Sequence, residues 1–240
     1  IVPQEIADKE AAAKFIEAVG QFERIMNDSG FVTLTRLAAS EITGQDGKAG
    51  IIEKYFSLSQ TDTTCLKDIG LYPEEMRVGD DILCLHTLSD VEDLPGKVGT
   101  DCRFEKLSTD RSDCRLSFAA PVGVLLSCNH VYNQFIFIDD HAENLKNFEQ
   151  TARNMQSLSR YSRANQVNKE WIDEYLNEAH SKGLISVRCH CNVMAWSDDR
   201  DELKRIRNDV GSQLALMECK PRHNTTDTTT LFWAGTPGNE

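Results

Sequence analysis

Residues 184–196 read LISVRCHCNVMAW, and this stretch decides the fold that the sequence predicts. Apolar residues recur there at every second position, which is the spacing of a β-strand, because successive side chains of a strand point to opposite faces. Cysteines and aliphatic residues share one predicted face, and the more polar residues share the other. The first set is Ile185, Val187, Cys189, Cys191, Val193 and Ala195, and the second is Ser186, Arg188, His190 and Asn192. We therefore expect a strand whose cysteine-bearing face is buried.

The same alternation argues against a metal site at Cys189, His190 and Cys191, although cysteine and histidine are common zinc ligands. On a strand, the two thiols lie on one face and the imidazole lies on the other. The three side chains cannot meet at one tetrahedral ion without breaking the strand. We interpret both cysteines as small buried apolar residues.

The sequence on either side of this strand alternates between predicted helices and strands. Residues 131–138, VYNQFIFI, form a second apolar strand, and two helical patterns separate it from the first. Gly183 stands where the second of these helices ends, which is a common place for a glycine C-cap. A further amphipathic helix follows at residues 199–217. The pattern predicts an α+β fold, with an antiparallel or mixed sheet and helices packed mainly on one of its faces.

Shorter elements are predicted in the first half of the chain. Residues 3–27 have helical periodicity and form an N-terminal helical portion, and residues 51–56 form another helical turn or two. Strands are predicted at residues 31–37 (FVTLTRL), 82–88 (ILCLHTL) and 122–127 (VGVLLS), and a hairpin joins residues 102–107 to residues 114–118. The loop at residues 94–100 is the place where two subdomains, 1–98 and 99–240, would divide if the chain is not one domain.

Composition and charge restrict the class of protein. A chain of 240 residues can bury a sizeable core. Its 26 basic and 38 acidic residues give a formal charge of −12, which argues against broad contact with nucleic acid phosphates. No apolar run reaches the roughly 18 residues that a membrane-spanning helix needs. Eight cysteines in a chain with an ample core favour reduced thiols in a cytosol over disulfide bonds.

Two local groups of basic residues lie in predicted helices, and we interpret them as solvated faces. They are Arg153, Arg160 and Arg163, and Lys204, Arg205 and Arg207. A nucleic-acid-binding module that uses the first group stays an alternative hypothesis. It predicts binding to single-stranded DNA that depends steeply on salt concentration.

A phosphate-binding loop is absent from the sequence. Its pattern is Gly, four residues, and then Gly-Lys-Ser/Thr, so that backbone N–H groups and a lysine surround the phosphates. The nearest fragments, Gly47-Lys48 and Gly96-Lys97, lack the first glycine and continue with other residues. We therefore expect no nucleotide loop in this chain.

The strand end FIFIDD at residues 135–140, followed by His141, is similar to the acidic strand that holds Mg²⁺ in nucleotide hydrolases. Without a phosphate-binding loop, the chain has no site for the nucleotide on which such a strand would act. We expect Asp139 and Asp140 to end a buried strand and to begin the next helix, where acidic side chains suit the helix dipole.

The other candidate pairs have ordinary explanations as well. Cys128 and His130 are too close in sequence for their side chains to aim at each other, and a turn explains the intervening Asn129. Cys102 and Cys114 could face each other across the predicted hairpin, but a disulfide needs an oxidising compartment. The paired acids are placed in polar turns; they are Glu74-Glu75 and Asp198-Asp199. We assign no catalytic, cofactor-binding or metal-binding residue.

Three stretches resemble the TraG family of conjugative-transposon proteins, which are conjugation ATPases related to the largest ATPase of type IV secretion systems. The stretches are KYFSLSQTDTTCLKDIG (54–70), FAAPVGVLLSCNHVYNQFIFIDD (118–140) and LFWAGTPGN (231–239). The resemblance covers essentially the whole chain. The last stretch is similar to the Phe-Trp…Pro-Gly-Asn landmark that stands just before the ATPase domain in that superfamily.

The resemblance implies that the chain is the accessory region, residues 1–240, of a larger ATPase. The full protein would power the assembly of a DNA-transfer channel or passage through it, as a cytoplasmic oligomer at the inner membrane. ATP and Mg²⁺ would bind only in a domain downstream of the landmark. The accessory region would contact channel components and sister subunits without gripping DNA directly. The opening Ile1 and the closing Gly-Pro punctuation fit a segment cut from a longer protein.

A stand-alone small-molecule enzyme with a thiol or carboxylate active site is the alternative from another functional class. It predicts at least one cysteine with a lowered pKa and fast reaction with iodoacetamide. The accessory-domain hypothesis predicts buried thiols that react slowly.

Overall fold

The computed structural model describes residues 8–30, 32–59, 61, 67–88, 90–95, 98, 102–103 and 108–236. The helices are α1 (Asp8–Asp28), α2 (Ala39–Thr43), α3 (Ile51–Ser57), α4 (His141–Leu158), α5 (Arg163–Lys182), α6 (Arg200–Leu216) and α7 (Thr228–Ala234). The strands are β1 (Ile69–Leu71), β2 (Met76–Val78), β3 (Asp81–Leu88), β4 (Cys102–Arg103), β5 (Arg115–Leu116), β6 (His130–Ile138), β7 (Val187–Ser197) and β8 (Arg222–Asn224). Among the helices that the structure describes, none is both long enough and apolar enough to cross a bilayer.

The chain divides into two compact units, and the divisions within the second half fall inside β6 and β7. Ile1–Leu34 and Ile136–Cys189 form the first, which we call the helical unit, and Thr35–Phe135 and His190–Glu240 form the second, the sheet unit. The expected boundary at residue 98 stays a prediction, because residues 96–97 and 99–100 of that loop lie outside the described part of the chain.

Helix ends in the helical unit are fixed by local signals. The Asp140 carboxylate accepts a hydrogen bond of 2.9 Å from the N–H of Glu143 and so caps α4. Gly183 ends α5 in a left-handed conformation, with φ of 66°, and its N–H donates to the Ala179 carbonyl. The expected glycine C-cap is therefore confirmed.

The sheet unit is built on the pairing of β3 with β7. This antiparallel ladder runs through seven residue pairs, from Ile82 opposite Ser197 to Leu88 opposite Cys191. The strands lie in the order β1-β2-β3-β7-β6, and β8 pairs with β3 beside β2. An α+β fold with an antiparallel sheet of six strands is thus confirmed.

Both faces of the two central strands are buried. One face, which we call the aromatic face, carries Leu83, Leu85, Met194 and Trp196, and these pack with Phe232 of α7 and Leu58 after α3. The opposite face, which we call the thiol face, carries Cys84, His86, Val193 and Ala195, all at most 4% exposed. Helix α6 covers it with its buried residues Ile206, Val210 and Leu214. Helices therefore lie against both sides of the sheet.

Two predicted strands are not found among the described residues. Residues 32–38 have no regular structure, and the N–H of Leu34 donates to the Asn27 side chain over 2.6 Å instead of to a strand. Residues 122–127 begin within a π-helical turn, Pro121–Leu125, which packs against α6 and buries Val122. A short apolar run does not distinguish a strand from a buried helical turn. Of the predicted hairpin, β4 and β5 are described, whereas residues 104–107 lie outside the described residues.

Phe232 is the largest fully buried side chain of the sheet unit, so its removal tests the packing of α7. We expect Phe232→Ala to lower the free energy of unfolding by about 3–5 kcal/mol, because it leaves a cavity on the aromatic face. Urea denaturation followed by tryptophan fluorescence measures this. Leu71→Ala is the control, since its side chain is 59% exposed, and it should change stability by about 0.5 kcal/mol or less. Equal effects of the two substitutions would contradict the assigned core.

Candidate functional site

Three segments that are far apart in sequence meet on the aromatic face. Helix α3 contributes Tyr55, strand β6 contributes Val131 and Asn133, and the end of α7 contributes Phe232 and Gly235. They belong to the three stretches 54–70, 118–140 and 231–239 that were singled out in the sequence.

Aromatic rings hold α3 and α7 together. The ring centroids of Tyr55 and Phe232 are 5.1 Å apart, as are those of Phe56 and Trp233. The Tyr55 hydroxyl donates a hydrogen bond of 2.6 Å to the Phe232 carbonyl. Burial raises the pKa of Tyr55 to about 12, so the hydroxyl keeps its proton and remains a donor at neutral pH.

Gly235 is required here because the backbone approaches other groups closely. A Cβ at this position would overlap the Tyr55 hydroxyl and would lie 3.1 Å from Asn133 Nδ2. The φ angle of Gly235 is −74°, which any residue can adopt, so the constraint is one of space.

A row of polar side chains crosses the sheet beneath α7. Asn133 of β6 donates to Asn192 of β7 over 2.9 Å, and Thr87 of β3 donates to Asn224 of β8 over 2.9 Å. Thr87 and Asn192 lie directly opposite each other on neighbouring strands. Asn224 also donates to Asp227, the N-cap residue of α7, over 3.0 Å. The row thus extends from the N-cap residue of α7 to the position beside Gly235, and the pair Asn133–Asn192 is not hydrogen-bonded to the pair Thr87–Asn224 in the described residues.

An open cleft of about 540 Å³ lies between α3 and β6. Tyr55, Leu58, Val131 and Trp196 give it a mainly apolar lining, and its polar lining includes Lys54, Ser59 and His130. Among the described residues, no aspartate or glutamate lines it. The cleft therefore suits an apolar group.

A second cluster of chemically active groups lies on the thiol face. The Cys84 Sγ atom is 3.8 Å from His86 Nδ1, and the centroids of the His86 and His223 rings are 5.3 Å apart, with the ring planes tilted by 59°. Burial, with the nearby His223 and Arg207, lowers the pKa of His86 to about 4, and burial raises the pKa of Cys84 to about 12. Both groups are neutral at pH 7, so this thiol is not an activated nucleophile.

Two further cysteines, Cys219 and Cys128, are also unlike catalytic thiols. Burial raises the pKa of Cys219 to about 11 and raises the pKa of Cys128 as well. His130 faces Cys128 through its ring nitrogen Nδ1, but the partner atom is the Cys128 carbonyl oxygen, at 2.9 Å. The adjacent Cys128 and His130 therefore do not form a nucleophile–base pair.

The Cys189–His190–Cys191 segment has the alternating geometry that the sequence predicts. Cys191 is 1% exposed, whereas the His190 ring stacks on Phe135 across the sheet at 5.6 Å. Within the described residues, no group of three or more potential ligands is arranged to hold a metal ion. Strand register places Cys102 opposite Leu116 and not opposite Cys114, which is a free thiol. Cys65 and the fragment Gly96-Lys97 lie outside the described residues.

The acidic candidates make structural contacts. Asp139 accepts two hydrogen bonds from Arg188, at 2.7 and 3.0 Å, and these lower its pKa. Hydrogen bonds and charge from Arg77 and Arg200 lower the pKa of Glu75. Asp199 caps α6 by accepting from the N–H of Asp201. The expectation that Asp139 and Asp140 join a strand to a helix is confirmed.

Residues of both basic groups are exposed. Arg153 lies 3.8 Å from Glu149, and its side chain is 71% exposed. Lys204 and Arg205 pair with Asp201 and Glu202 on the exposed side of α6. Arg207 is exposed as well, and it also lines a small cleft with Cys84 and His223.

No protein-family model matches the chain, and no curated protein matches it.

The close approach at Gly235 can be tested with a double-mutant cycle. We expect Gly235→Ala to lower stability by about 1–3 kcal/mol, because the new methyl group overlaps the Tyr55 hydroxyl. In a Tyr55→Phe background the same change should cost less, since the overlapping oxygen is gone. Gly211→Ala is the control: it lies in α6 with open space around its Cβ position and should be neutral or stabilising. Urea denaturation measures the stability of each variant. If the losses of stability caused by Gly235→Ala and Tyr55→Phe simply add in the double variant, the contact between Gly235 and the Tyr55 hydroxyl is refuted.

The neutral, buried His86 predicts a loss of stability in acid. The unfolded chain, with an ordinary histidine pKa of 6.5, binds a proton that the folded chain, with a pKa of about 4, does not bind. Stability is therefore full above pH 6.5 and falls as the pH decreases toward 4. We expect the titration of His86 to lower the free energy of unfolding by about 2 kcal/mol between pH 7.5 and pH 5.

Urea denaturation at the two pH values measures that loss. The His86→Gln variant should show a smaller difference than the wild type. His180→Gln should match the wild type, because the His180 side chain is 58% exposed and lies in the helical unit. The assignment fails if His86→Gln keeps the full dependence on pH.

Proposed function

We propose that these 240 residues are a non-catalytic interaction and assembly domain of a conjugation-system ATPase that powers DNA transfer through a type IV secretion channel. One observation carries the proposal. The three stretches that resemble the TraG family each supply residues to the cluster of Tyr55, Asn133 and Gly235. If the resemblance were accidental, nothing would require these separate stretches to share one packing site.

The C-terminal part of that cluster has a particular meaning under this proposal. Phe232 and Trp233 belong to the landmark that precedes the ATPase domain in the family, and they pack on Tyr55 and Phe56 of α3. Helix α7 is therefore held firmly at the point where the chain would pass to the motor. We infer that the domain gives the motor a rigid attachment to channel components.

The partners and location follow from the same proposal. The full protein would be a homo-oligomer, cytoplasmic and peripheral at the inner membrane, and it would contact components of the secretion channel. ATP and Mg²⁺ would bind in a domain downstream of this one. The formal charge of −12 and the paired basic residues of α6 favour protein contacts over direct contact with DNA.

The raised thiol pKa values weigh against the alternative of a small-molecule enzyme. A catalytic cysteine needs its thiolate stabilised, whereas burial disfavours the thiolates of Cys84, Cys128 and Cys219. The carboxylates of Glu75 and Asp139 are engaged by arginines and have lowered pKa values, which do not suit a general acid.

A mating assay tests the proposal. We expect an in-frame deletion of the codons for this chain, in donor cells that carry the conjugative element, to abolish DNA transfer. An intact copy of the gene should restore transfer, and an immunoblot should show the shortened ATPase at normal abundance. In calorimetry, the isolated chain should give no binding heat with ATP and Mg²⁺. Normal transfer from the deletion strain, or tight ATP binding by the chain, would overturn the proposal.

A further inference from the structure

The turn between α4 and α5 forms one end of a helical hairpin. Helix α4 ends at Leu158 and α5 begins at Arg163, so four residues join them. The two helices pack against each other, and the ring centroids of Phe148 and Tyr175 lie 4.8 Å apart. A connection this short between packed helices is typical of an antiparallel hairpin. Residues 157–163, which we call the hairpin tip, therefore form a convex end of this pair of helices.

The sequence around the hairpin tip is basic within an acidic chain. Residues 150–169 contain four basic residues and no acidic one, whereas the chain has a formal charge of −12. The four are Arg153, Arg160, Arg163 and Lys169. The next carboxylates along the two helices are Glu149, about 14 Å before Leu158, and Glu170, about 10 Å beyond Arg163, at 1.5 Å per residue. These distances reach or exceed the Debye length of about 10 Å in 0.1 M salt, so the tip presents a local positive charge.

The two arginines of the hairpin tip differ from the basic residues on either side of it. Arg153 lies 3.8 Å from Glu149, and Lys169 lies 2.6 Å from Asp173. Arg160 and Arg163 are exposed, and neither side chain makes an ion pair or a hydrogen bond within the part of the chain that the structure describes. Their charge is therefore not neutralised by the helices that carry them.

An exposed aromatic side chain stands between these arginines. Tyr161 is 83% exposed, and Leu158 beside it is 43% exposed. The turn that carries them is fixed by hydrogen bonds: the Leu158 carbonyl accepts from the Tyr161 N–H over 3.0 Å and from the Asn165 side chain over 3.2 Å. Ser162 caps α5 by accepting from the N–H of Ala164. The hairpin tip thus holds an amphipathic ring outward among basic groups, without a hydrophobic partner for the ring.

We propose that the hairpin tip binds the surface of an anionic phospholipid membrane. Arg160 and Arg163 contact lipid phosphates, because a guanidinium group matches the geometry of a phosphate. Tyr161 lies among the headgroups, where its ring meets apolar chains and its hydroxyl stays hydrated. Basic clusters next to an anionic leaflet are attracted in the same way in other proteins.

The size and shape of the hairpin tip favour a lipid surface over a protein or a nucleic acid. Two helix ends side by side, each about 10 Å across, offer roughly 200 Å². A specific protein interface buries about 800 Å² on each partner, which is several times more. Proteins that bind single strands follow them with a basic groove and stack several bases on aromatic rings. The tip is convex and carries one such ring, Tyr161. A lipid surface requires neither a large interface nor a groove.

This inference rests on the proposed function only for the identity of the membrane, which would be the inner membrane. Binding itself can be measured on the isolated chain by co-sedimentation with vesicles. The probes are vesicles of an equimolar mixture of phosphatidylglycerol and phosphatidylcholine, and vesicles of phosphatidylcholine alone. We expect binding to the mixed vesicles only. Raising the salt from about 0.1 M to about 1 M shortens the Debye length from about 10 Å to about 3 Å and should release most of the bound protein.

Charge-matched variants separate the hairpin tip from the net charge of the chain. The double variant Arg160→Gln, Arg163→Gln should weaken binding to the mixed vesicles by about 25-fold, because each arginine near an anionic surface contributes about fivefold. The double variant Lys204→Gln, Arg205→Gln is the control. It changes the net charge equally, but these exposed side chains of α6 pair with carboxylates, so it should bind like the wild type.

A variant at Tyr161 gives a second measurement. Tyr161→Trp should retain binding, because an indole also suits the headgroup region, and its added fluorescence should shift to shorter wavelength on the mixed vesicles. The inference is overturned if the wild type binds the mixed vesicles no better than phosphatidylcholine, or if the arginine variant binds like the wild type. It is also overturned if the α6 control loses as much binding. Tighter binding of a single-stranded oligonucleotide at equal phosphate concentration, lost in the arginine variant, would assign the tip to nucleic acid instead.

The vesicle and mating assays distinguish failure of this inference from failure of the proposed function. If deletion of the domain abolishes transfer while the isolated chain ignores the mixed vesicles, the proposed function stands and the membrane contact is wrong. If the vesicles are bound through the hairpin tip while transfer survives the deletion, the membrane contact stands and the proposed function is wrong.

Discussion

The ladder between β3 and β7 is the interaction on which the rest of the sheet unit depends. Its seven residue pairs join a strand from the first half of the chain to one from the second half, and both faces of the pair are buried. Strands β2 and β8 extend β3, and β6 extends β7. If the pairing shifted by one residue, Cys84 and His86 would take the places of Leu83 and Leu85. The His86 imidazole would then lie against α3 and α7, which cover the aromatic face. The register therefore decides which helix covers which face.

The two faces of this ladder have different chemistry. On the thiol face, burial keeps Cys84 and His86 neutral, so these potentially reactive groups serve as packing beneath α6. On the aromatic face, a row of polar side chains lies beside α7, and the cleft between α3 and β6 is open. The two faces are therefore both buried beneath helices, but only the aromatic face carries this polar row.

Features that depend on local sequence could be predicted, and those that depend on distant contacts could not. Gly183 and Asp140 act on the helix ends beside them, so their roles follow from a few neighbouring residues. The alternation in β7 predicted a buried face that is confirmed for Cys191, Val193 and Ala195, whereas it is wrong for Ile185 and Val187, which are 59% and 47% exposed. It gave no sign that the face of Asn192 is equally buried, because α3 and α7, which cover that face, come from opposite ends of the chain. Residues 31–37 have strand-forming composition but find no neighbouring strand in the described residues, and composition alone carries no information on that point. The cleft was missed because its residue types are common and only the fold brings them together.

The separation of β3 from β7 along the chain has a consequence for synthesis in the cell. On the ribosome, β3 emerges roughly 5 to 20 seconds before its partner at ordinary translation rates. Throughout that interval the apolar segment ILCLHTL has no ladder to join, and Leu85 remains uncovered until α7 follows. The nascent polypeptide is then vulnerable to aggregation, and chaperones that hold unfolded chains would set the yield of native protein.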